Sequence, residues 1–288
     1  MDRHTVTVRG TELAYFEAGE GPLALCLHGF PDTAHTWRHL LPRLADAGFR
    51  AVAPFNRGYA PSAVPADGFF QAGAIAADAN ALHEVLGADG DAVVIGHDWG
   101  AVATYGAAGS APERWRCVVA LSIPPPNEML AAFVGYDQLK LSWYMHVFQN
   151  PLAEMLVPAD DFAFLERLWR DWSPGYDPVD DLGAVRSALQ TPAHLAAALG
   201  IYRAALGNSS LDPTLEAEQT ACSALPSQPT LYLHGDQDGC LAVATARSAQ
   251  GALERPGNRF EVLDGVGHFL HLEAPDAVNE RILTFVTD

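Results

Sequence analysis

The chain has 288 residues, 49% of them hydrophobic and 18% charged, a composition that excludes a disordered chain and supports a large core without covalent staples. Lys and Arg number 17 against 35 Asp and Glu, for a formal net charge of -18; phosphate backbones and anionic membrane surfaces are repelled, which sets aside nucleic acid and membrane as partners. No apolar run approaches the roughly 20 residues that span a bilayer. Met1-Asp2-Arg3-His4 has no apolar signal core, and Cys26, Cys117, Cys222 and Cys240 include no C-x-x-C pair, so the expectation is a cytoplasmic protein with reduced thiols and no structural metal.

In chain order, residues 5–9 and 12–17 read as a short antiparallel start split by Gly10. Continuous apolar runs follow at 22–27, 50–55, 91–95 and 117–123. Such runs suit strands buried on both faces, as in a parallel sheet. Between them, 36–47 and 75–86 carry apolar residues at helical spacing, including Trp37, Leu40, Leu41 and Leu44 in the first. Strands alternating with helices predict a doubly wound α/β sheet, whose ligands sit at the carboxyl ends of the strands. Pro124-Pro125-Pro126 ends the sixth strand, because proline offers no ladder donor. Residues 127–220 then hold no convincing strand, with helices expected over 137–149, 160–172 and 192–206. Strand patterns return at 230–234 and 260–263, and a last helix at 277–286. The expected organisation is a core of 1–126 and 221–288 interrupted by a helical insert at 127–220.

One segment carries the chemistry. Val93-Val94-Ile95 runs into Gly96-His97-Asp98-Trp99-Gly100, followed by a helix rich in small residues. This is the strand–turn–helix pattern G-x-S-x-G of a nucleophile elbow with aspartate in the serine's place. Asp98 could instead merely cap the helix that starts at Trp99, but the flanking glycines and the buried strand favour a nucleophile. His28-Gly29-Phe30-Pro31-Asp32 follows the third strand, where an oxyanion loop belongs, with the backbone N–H groups of Phe30 and Trp99 as donors and His28 in a structural role. Gly265-Val266-Gly267-His268-Phe269 offers a general base, His268 being preferred over His271 for its glycine-flanked loop. His234-Gly235-Asp236-Gln237-Asp238 offers the acid that orients it. Asp238, further into the loop, is preferred over Asp236, which suits turn hydrogen bonds. The chain order Asp98, Asp238, His268 is that of α/β-hydrolase triads.

With these residues in place, the chain resembles the epoxide hydrolases of the α/β-hydrolase fold over nearly its whole length. The resemblance rests on His28-Gly29-Phe30-Pro31, Arg57-Gly58-Tyr59, Gly96-His97-Asp98-Trp99-Gly100 and Gly267-His268-Phe269. It makes the helical insert the family's cap and adds two residues. Tyr144, four residues before Phe148-Gln149, and Tyr202 of Ile201-Tyr202-Arg203 match the cap tyrosines that bind and protonate the epoxide oxygen. A phenol, protonated at neutral pH, suits that task; the competing role is ordinary aromatic packing. The resemblance also implies a small apolar epoxide and water as reactants, no cofactor, and an aromatic pocket to which Trp143 and Phe148 are assigned. The sequence departs from the family at Ala101, where a second glycine is usual, and at Phe55-Asn56-Arg57-Gly58-Tyr59-Ala60, which replaces Asp-x-Arg-Gly-Tyr-Gly. Glu128 is an alternative acid, as some relatives place theirs after the sixth strand.

An aspartate disfavours an esterase, because its attack on an ester would give an unstable anhydride. Attack on a tetrahedral carbon gives a cleavable ester, which suits epoxides and alkyl halides alike. A haloalkane dehalogenase, with Trp99 and one of Trp143, Trp169 or Trp172 as halide donors, is therefore the enzymatic alternative. A silent ligand-binding protein is the alternative outside catalysis. The 11 histidines include no H-E-x-x-H pair, so a metal hydrolase is not expected.

Overall fold

The computed structural model describes residues 2–288. Eight strands form one sheet: β1 (Asp2–Val8), β2 (Thr11–Ala18), β3 (Leu23–Leu27), β4 (Arg50–Pro54), β5 (Val93–His97), β6 (Cys117–Leu121), β7 (Thr230–Gly235) and β8 (Arg259–Leu263), in the order β1-β2-β4-β3-β5-β6-β7-β8. The first two strands pair antiparallel with each other, and β2 with β4; the remaining neighbours are parallel. The expected α/β-hydrolase sheet is thus observed. The residues of β3, β5, β6 and β7 are buried throughout, which is why these segments read as unbroken apolar runs rather than alternating ones.

The helices of the first half are α1 (Leu41–Asp46), α2 (Ala72–Val85) and α3 (Trp99–Ser110). Only the last part of the predicted 36–47 helix is α-helical; Ala34–His39 forms a 3₁₀ turn, its start capped by the Thr33 hydroxyl. The sequence of α3 is mostly Gly, Ala and Ser, and it is buried from Gly100 to Ala108. Small side chains let this helix lie close to both the sheet and α2.

Between β6 and β7 run α4 (Pro126–Phe133), α5 (Tyr136–Leu141), α6 (Trp143–Phe148), α7 (Ala153–Leu156), α8 (Ala159–Trp172), α9 (Val179–Leu189), α10 (Pro192–Ala205) and α11 (Glu216–Ala221). Three differences from expectation stand out. The predicted helix 137–149 is two helices, broken at Ser142. Helix α8 is kinked at Asp160–Phe162, where φ turns positive. Helix α9 was not anticipated. The last insert helix, α11, packs on α2 and α3 of the core.

Polar ties anchor the insert to the core. Arg38 pairs with the buried Asp181 of α9 at 2.6 Å, and the Tyr176 hydroxyl donates to the same carboxylate at 2.6 Å. The Trp169 indole N–H donates to the Pro31 carbonyl at 3.0 Å. The chain closes with α12 (Val243–Ser248), α13 (Gln250–Leu253), α14 (Leu270–Glu273) and α15 (Pro275–Thr287). All four cysteines are buried and free. No helix among the described residues is long and apolar enough to cross a membrane.

Candidate active site

The site forms at the carboxyl ends of β3, β5, β7 and β8, where the strand order reverses about β3 and β5. Asp98 occupies the turn from β5 into α3 at φ 54°, ψ -121°, a conformation that costs a non-glycine residue about 1–3 kcal/mol and is held by its surroundings. Its backbone N–H donates to the Leu121 carbonyl of the neighbouring strand at 3.2 Å. The turn is so tight that a Cβ on Gly100 would lie 2.1 Å from the Leu27 carbonyl oxygen. Gly29 is constrained by the side chain itself, since a Cβ there would lie 2.3 Å from Asp98 Oδ1.

Phe30 N–H donates to Asp98 Oδ1 at 2.8 Å. The loop that carries it is pinned from below. His28 Nδ1–H donates to the Gly29 carbonyl at 2.8 Å, while Nε2 accepts the Asn56 N–H at 3.0 Å. Asn56 also donates its side-chain amide to the His28 carbonyl at 2.7 Å. Burial pushes the His28 imidazole down to about 4, so this ring is neutral and structural, as expected. Asn56, at the unspecified position of the family pattern, thus holds the loop through its side-chain amide.

His268 Nδ1 contacts Asp238 Oδ2 at 2.9 Å, and its Nε2 faces Asp98 Oδ2 at 3.6 Å. The other Asp238 oxygen accepts the N–H groups of Cys240 at 2.7 Å and Leu241 at 2.9 Å. Burial alone would depress the imidazole of His268. The Asp238 charge and the contacts to both carboxylates outweigh it and raise the ring to about 10. The backbone of His268 is fixed as well: its N–H donates to the Trp172 carbonyl at 3.0 Å, and its carbonyl accepts from Ser122 Oγ at 2.7 Å and His97 Nε2 at 2.9 Å.

The other sequence candidates lie apart from this group. Asp236 accepts the Gly265 N–H at 2.7 Å, a turn role. His271 is buried with its Nε2 on the Thr36 hydroxyl and its ring stacked on Trp37. Glu128 is exposed on α4.

Tyr144 on α6 and Tyr202 on α10 reach the same cavity as Asp98, about 390 Å³ in volume. Their rings meet edge to face at 5.7 Å, and Tyr202 stands edge-on to Trp99 at 5.3 Å. The Tyr144 hydroxyl contacts Cys240 Sγ at 3.3 Å, whereas the buried Tyr202 hydroxyl has no hydrogen-bond partner. Burial, with Asp98 nearby, raises both phenols well above their ordinary value. Apolar side chains dominate the remaining wall, among them Val102, Met129, Phe133, Met145 and Ile201.

The pocket assignment of Trp143 and Phe148 requires correction, because neither lines the cavity. The break at Ser142 turns α6 so that Tyr144 and Met145 face inward, leaving Trp143 46% exposed on the outside. Phe148 is fully buried behind the tyrosines, with ring centroids 5.6 Å from Tyr144 and 5.1 Å from Tyr202.

Two contributors escaped the sequence reading. Cys240 lies two residues beyond Asp238 and lines the cavity. Gln138 on α5 donates to the Cys240 carbonyl at 2.9 Å and accepts the Ala242 N–H at 2.9 Å, tying the insert to the loop of Asp238. The proximity of Cys240 to Asp238 was the available signal for the first; nothing local marked the second. The sequence reading also passed over His35 and His39, four residues apart; neither joins a cluster of three ligand-type side chains among the described residues.

A profile described as the alpha/beta hydrolase fold matches residues 22–275. The chain belongs to the α/β-hydrolase fold family. Within it, the chain sits among the epoxide hydrolases. It is 30% identical to "Epoxide hydrolase A" of Mycobacterium tuberculosis over 98% of this chain and 96% of that protein. An "Epoxide hydrolase" of Caballeronia sordidicola is 28% identical over 99% of this chain and 94% of its own. Among solved structures, a Bacillus megaterium epoxide hydrolase in complex with an inhibitor superposes with a TM-score of 0.82 at 27% identity, covering 99% of this chain and 100% of that one.

Proposed function

We propose that this protein hydrolyses epoxides to vicinal diols through a covalent ester on Asp98, with residues 127–220 acting as the cap. The observation that carries the proposal is the pair of buried phenols facing a single carboxylate across an apolar cavity. A carboxylate attacking an epoxide carbon breaks the C–O bond and leaves an alkoxide, which needs a proton from the opposite side. Tyr144 and Tyr202 supply and support that proton, because their surroundings keep them protonated until charge develops on the oxygen.

In the first step Asp98 Oδ2 attacks carbon, while Oδ1 stays on the Phe30 N–H and becomes the ester carbonyl oxygen. Ester formation removes one of the two negative charges beside His268, so its proton affinity falls; the imidazolium proton passes through solvent to the tyrosinate left by the first step, and the neutral ring becomes a base. In the second step His268 Nε2 takes a proton from water, whose oxygen attacks the ester carbon. The N–H groups of Phe30 and Trp99 stabilise the resulting oxyanion. On collapse the hydroxyl proton of the intermediate passes to the departing alkoxide, which leaves as the diol, and the restored Asp98 carboxylate again holds His268 as an imidazolium. Asp238 orients the ring and balances its charge throughout. Water and an apolar epoxide are the only reactants, and no cofactor enters.

The test follows diol and halide together, using purified protein with aryl and alkyl epoxides beside matched bromoalkanes. Diol without halide is expected. Halide without diol would instead identify a dehalogenase and return both tyrosines to packing. That outcome is disfavoured because Trp99 lines the cavity of Asp98 whereas Trp143, Trp169 and Trp172 do not. Neither product from a broad panel would favour a silent binding protein.

A further inference from the structure

Cys240 has no part in the chemistry above, yet its thiol lies in the cavity beside the reacting groups. One ligand atom each from Asp98, Cys240 and His268 fall within 4.8 Å of one another, and all three residues are buried. We infer that these three side chains form a site for a thiophilic divalent cation, represented by Zn²⁺, whose binding shuts the enzyme off.

Four features support the site. The first is geometric. Zinc bonds of about 2.0–2.3 Å at a tetrahedral centre place ligand atoms roughly 3.4–3.6 Å apart. His268 Nε2 and Asp98 Oδ2 already stand 3.6 Å apart, and the thiol, within 4.8 Å of both, is the one group that has to close in. The second is that no other hydrogen bond competes for the donor atoms. His268 Nε2 is buried without a hydrogen-bond partner, and Asp98 Oδ2 is left over once Oδ1 has taken the Phe30 N–H.

The third feature is the outer shell. A metal-bound histidine characteristically directs its other ring nitrogen at a carboxylate; His268 Nδ1 does so, at 2.9 Å from Asp238. The Tyr144 hydroxyl, 3.3 Å from Cys240 Sγ, is placed to donate to the thiolate once it forms. The fourth is access. Leu130 and Val134 line the same cavity and are themselves exposed, so the cavity reaches the surface. A net charge of -18 concentrates cations around the molecule.

Binding exchanges two protons for one metal ion. The cation displaces the thiol proton of Cys240 and the Nε2 proton of the His268 imidazolium to solvent, forms bonds to sulfur, nitrogen and carboxylate oxygen, and keeps a water or anion from the cavity in the fourth place. The nucleophile and the base are then both occupied, so neither ester formation nor ester hydrolysis proceeds. The inhibitory consequence rests on the proposed roles of Asp98 and His268; the binding itself does not.

The experiment uses the full-length, metal-free protein and two probes. Cd²⁺, a spectroscopic stand-in for zinc, is titrated while the ultraviolet thiolate-to-cadmium charge-transfer absorbance is followed. One equivalent should produce the band in the wild type, and the band should be missing from Cys240→Ser and Cys240→Ala. Zn²⁺ is then added to epoxide turnover assays. Inhibition reversed by a chelator is expected, with the half-inhibitory concentration rising at least about tenfold in Cys240→Ser, each variant measured against its own activity. Tenfold is the lower scale for losing even an outer-shell partner.

Circular dichroism establishes that both variants are folded. Absence of the band in the wild type, its persistence in both Cys240 variants, or equal zinc sensitivity of wild type and Cys240→Ser would each overturn the inference. A band that depends on Cys240 in a protein that turns over no epoxide would uphold the metal site and reject the proposed activity.

Discussion

His268 is held between two carboxylates, and its proton affinity follows theirs. The raised value of about 10 rests on Asp238 at 2.9 Å and Asp98 at 3.6 Å acting against burial. Neutralising Asp98, as the proposed ester would, should therefore lower it. Asp98→Asn mimics that change, and nitrogen-15 NMR of the imidazole should show the ring titrating at lower pH in the variant. A ring that titrates unchanged would leave ester hydrolysis without an activated base. The same variant should lose at least about four orders of magnitude in epoxide turnover, the scale seen when a nucleophile is removed. The pKa shift also bears on stability. A histidine whose folded value lies above its unfolded value of about 6.5 stabilises the fold fully below that pH, and this contribution drains away as pH rises through about 10. Between pH 7 and 10.5 the melting temperature of the wild type should fall more steeply than that of His268→Gln. Parallel curves for the two proteins would contradict the pairing.

At the scale of elements, the proposed roles divide between the strand ends, which carry Asp98, Asp238 and His268, and two insert helices, which carry one phenol each. The division predicts separable defects. Tyr144→Phe and Tyr202→Phe should each slow ester formation by about a hundredfold, within the usual range for losing a proton donor, and the double variant more. Hydrolysis of a preformed ester should change little, since α6 and α10 do not touch His268 Nδ1 or its acid. Single-turnover quenched-flow measurements resolve the two steps; equal slowing of both would assign the phenols to general packing. The strand-end half of this arrangement was legible because its constraints leave marks on short stretches of sequence. The close approaches of Leu27 to residue 100 and of Asp98 to residue 29 admit only glycine there, and the buried strands announce themselves as apolar runs. The insert was read less well. Ser142 breaks α6 from α5 without proline or glycine, and the break decides that Tyr144 faces inward and Trp143 outward. Helix α9 opens on Val179-Asp180-Asp181 and carries Gly183, a weak helical pattern that becomes a helix through the burial of Leu182, Val185 and Leu189. The contact between Cys240 and Tyr144 spans 96 residues of chain and exists only once insert and core have met.

Over the whole molecule, charge and cavity chemistry point to the same class of substrate. The cavity wall contains no Lys or Arg among the described residues, and its one charged side chain is Asp98. Outside it lies a surface that contributes to a net charge of -18. An epoxide bearing a carboxylate would be repelled on approach and would find no Lys or Arg in the cavity wall, where the His268 imidazolium is already paired with two carboxylates, whereas a neutral epoxide of similar size pays neither penalty. The two penalties respond differently to salt. Repulsion on approach is screened over a Debye length of about 10 Å at 0.1 M and about 3 Å at 1 M, while the missing counter-ion inside the cavity is beyond the reach of bulk ions. For a matched pair, an epoxy acid and its primary amide, kcat/KM should favour the amide by at least about tenfold at low ionic strength, the effect of little more than one unfavourable charge contact in a partly buried site. Raising the salt to about 0.5 M should narrow the gap without closing it, and the amide's own rate should stay nearly flat. Equal rates for acid and amide at low salt would mean that a cation from elsewhere in the chain reaches the cavity when substrate binds, and the apolar wall would then be only part of the binding surface.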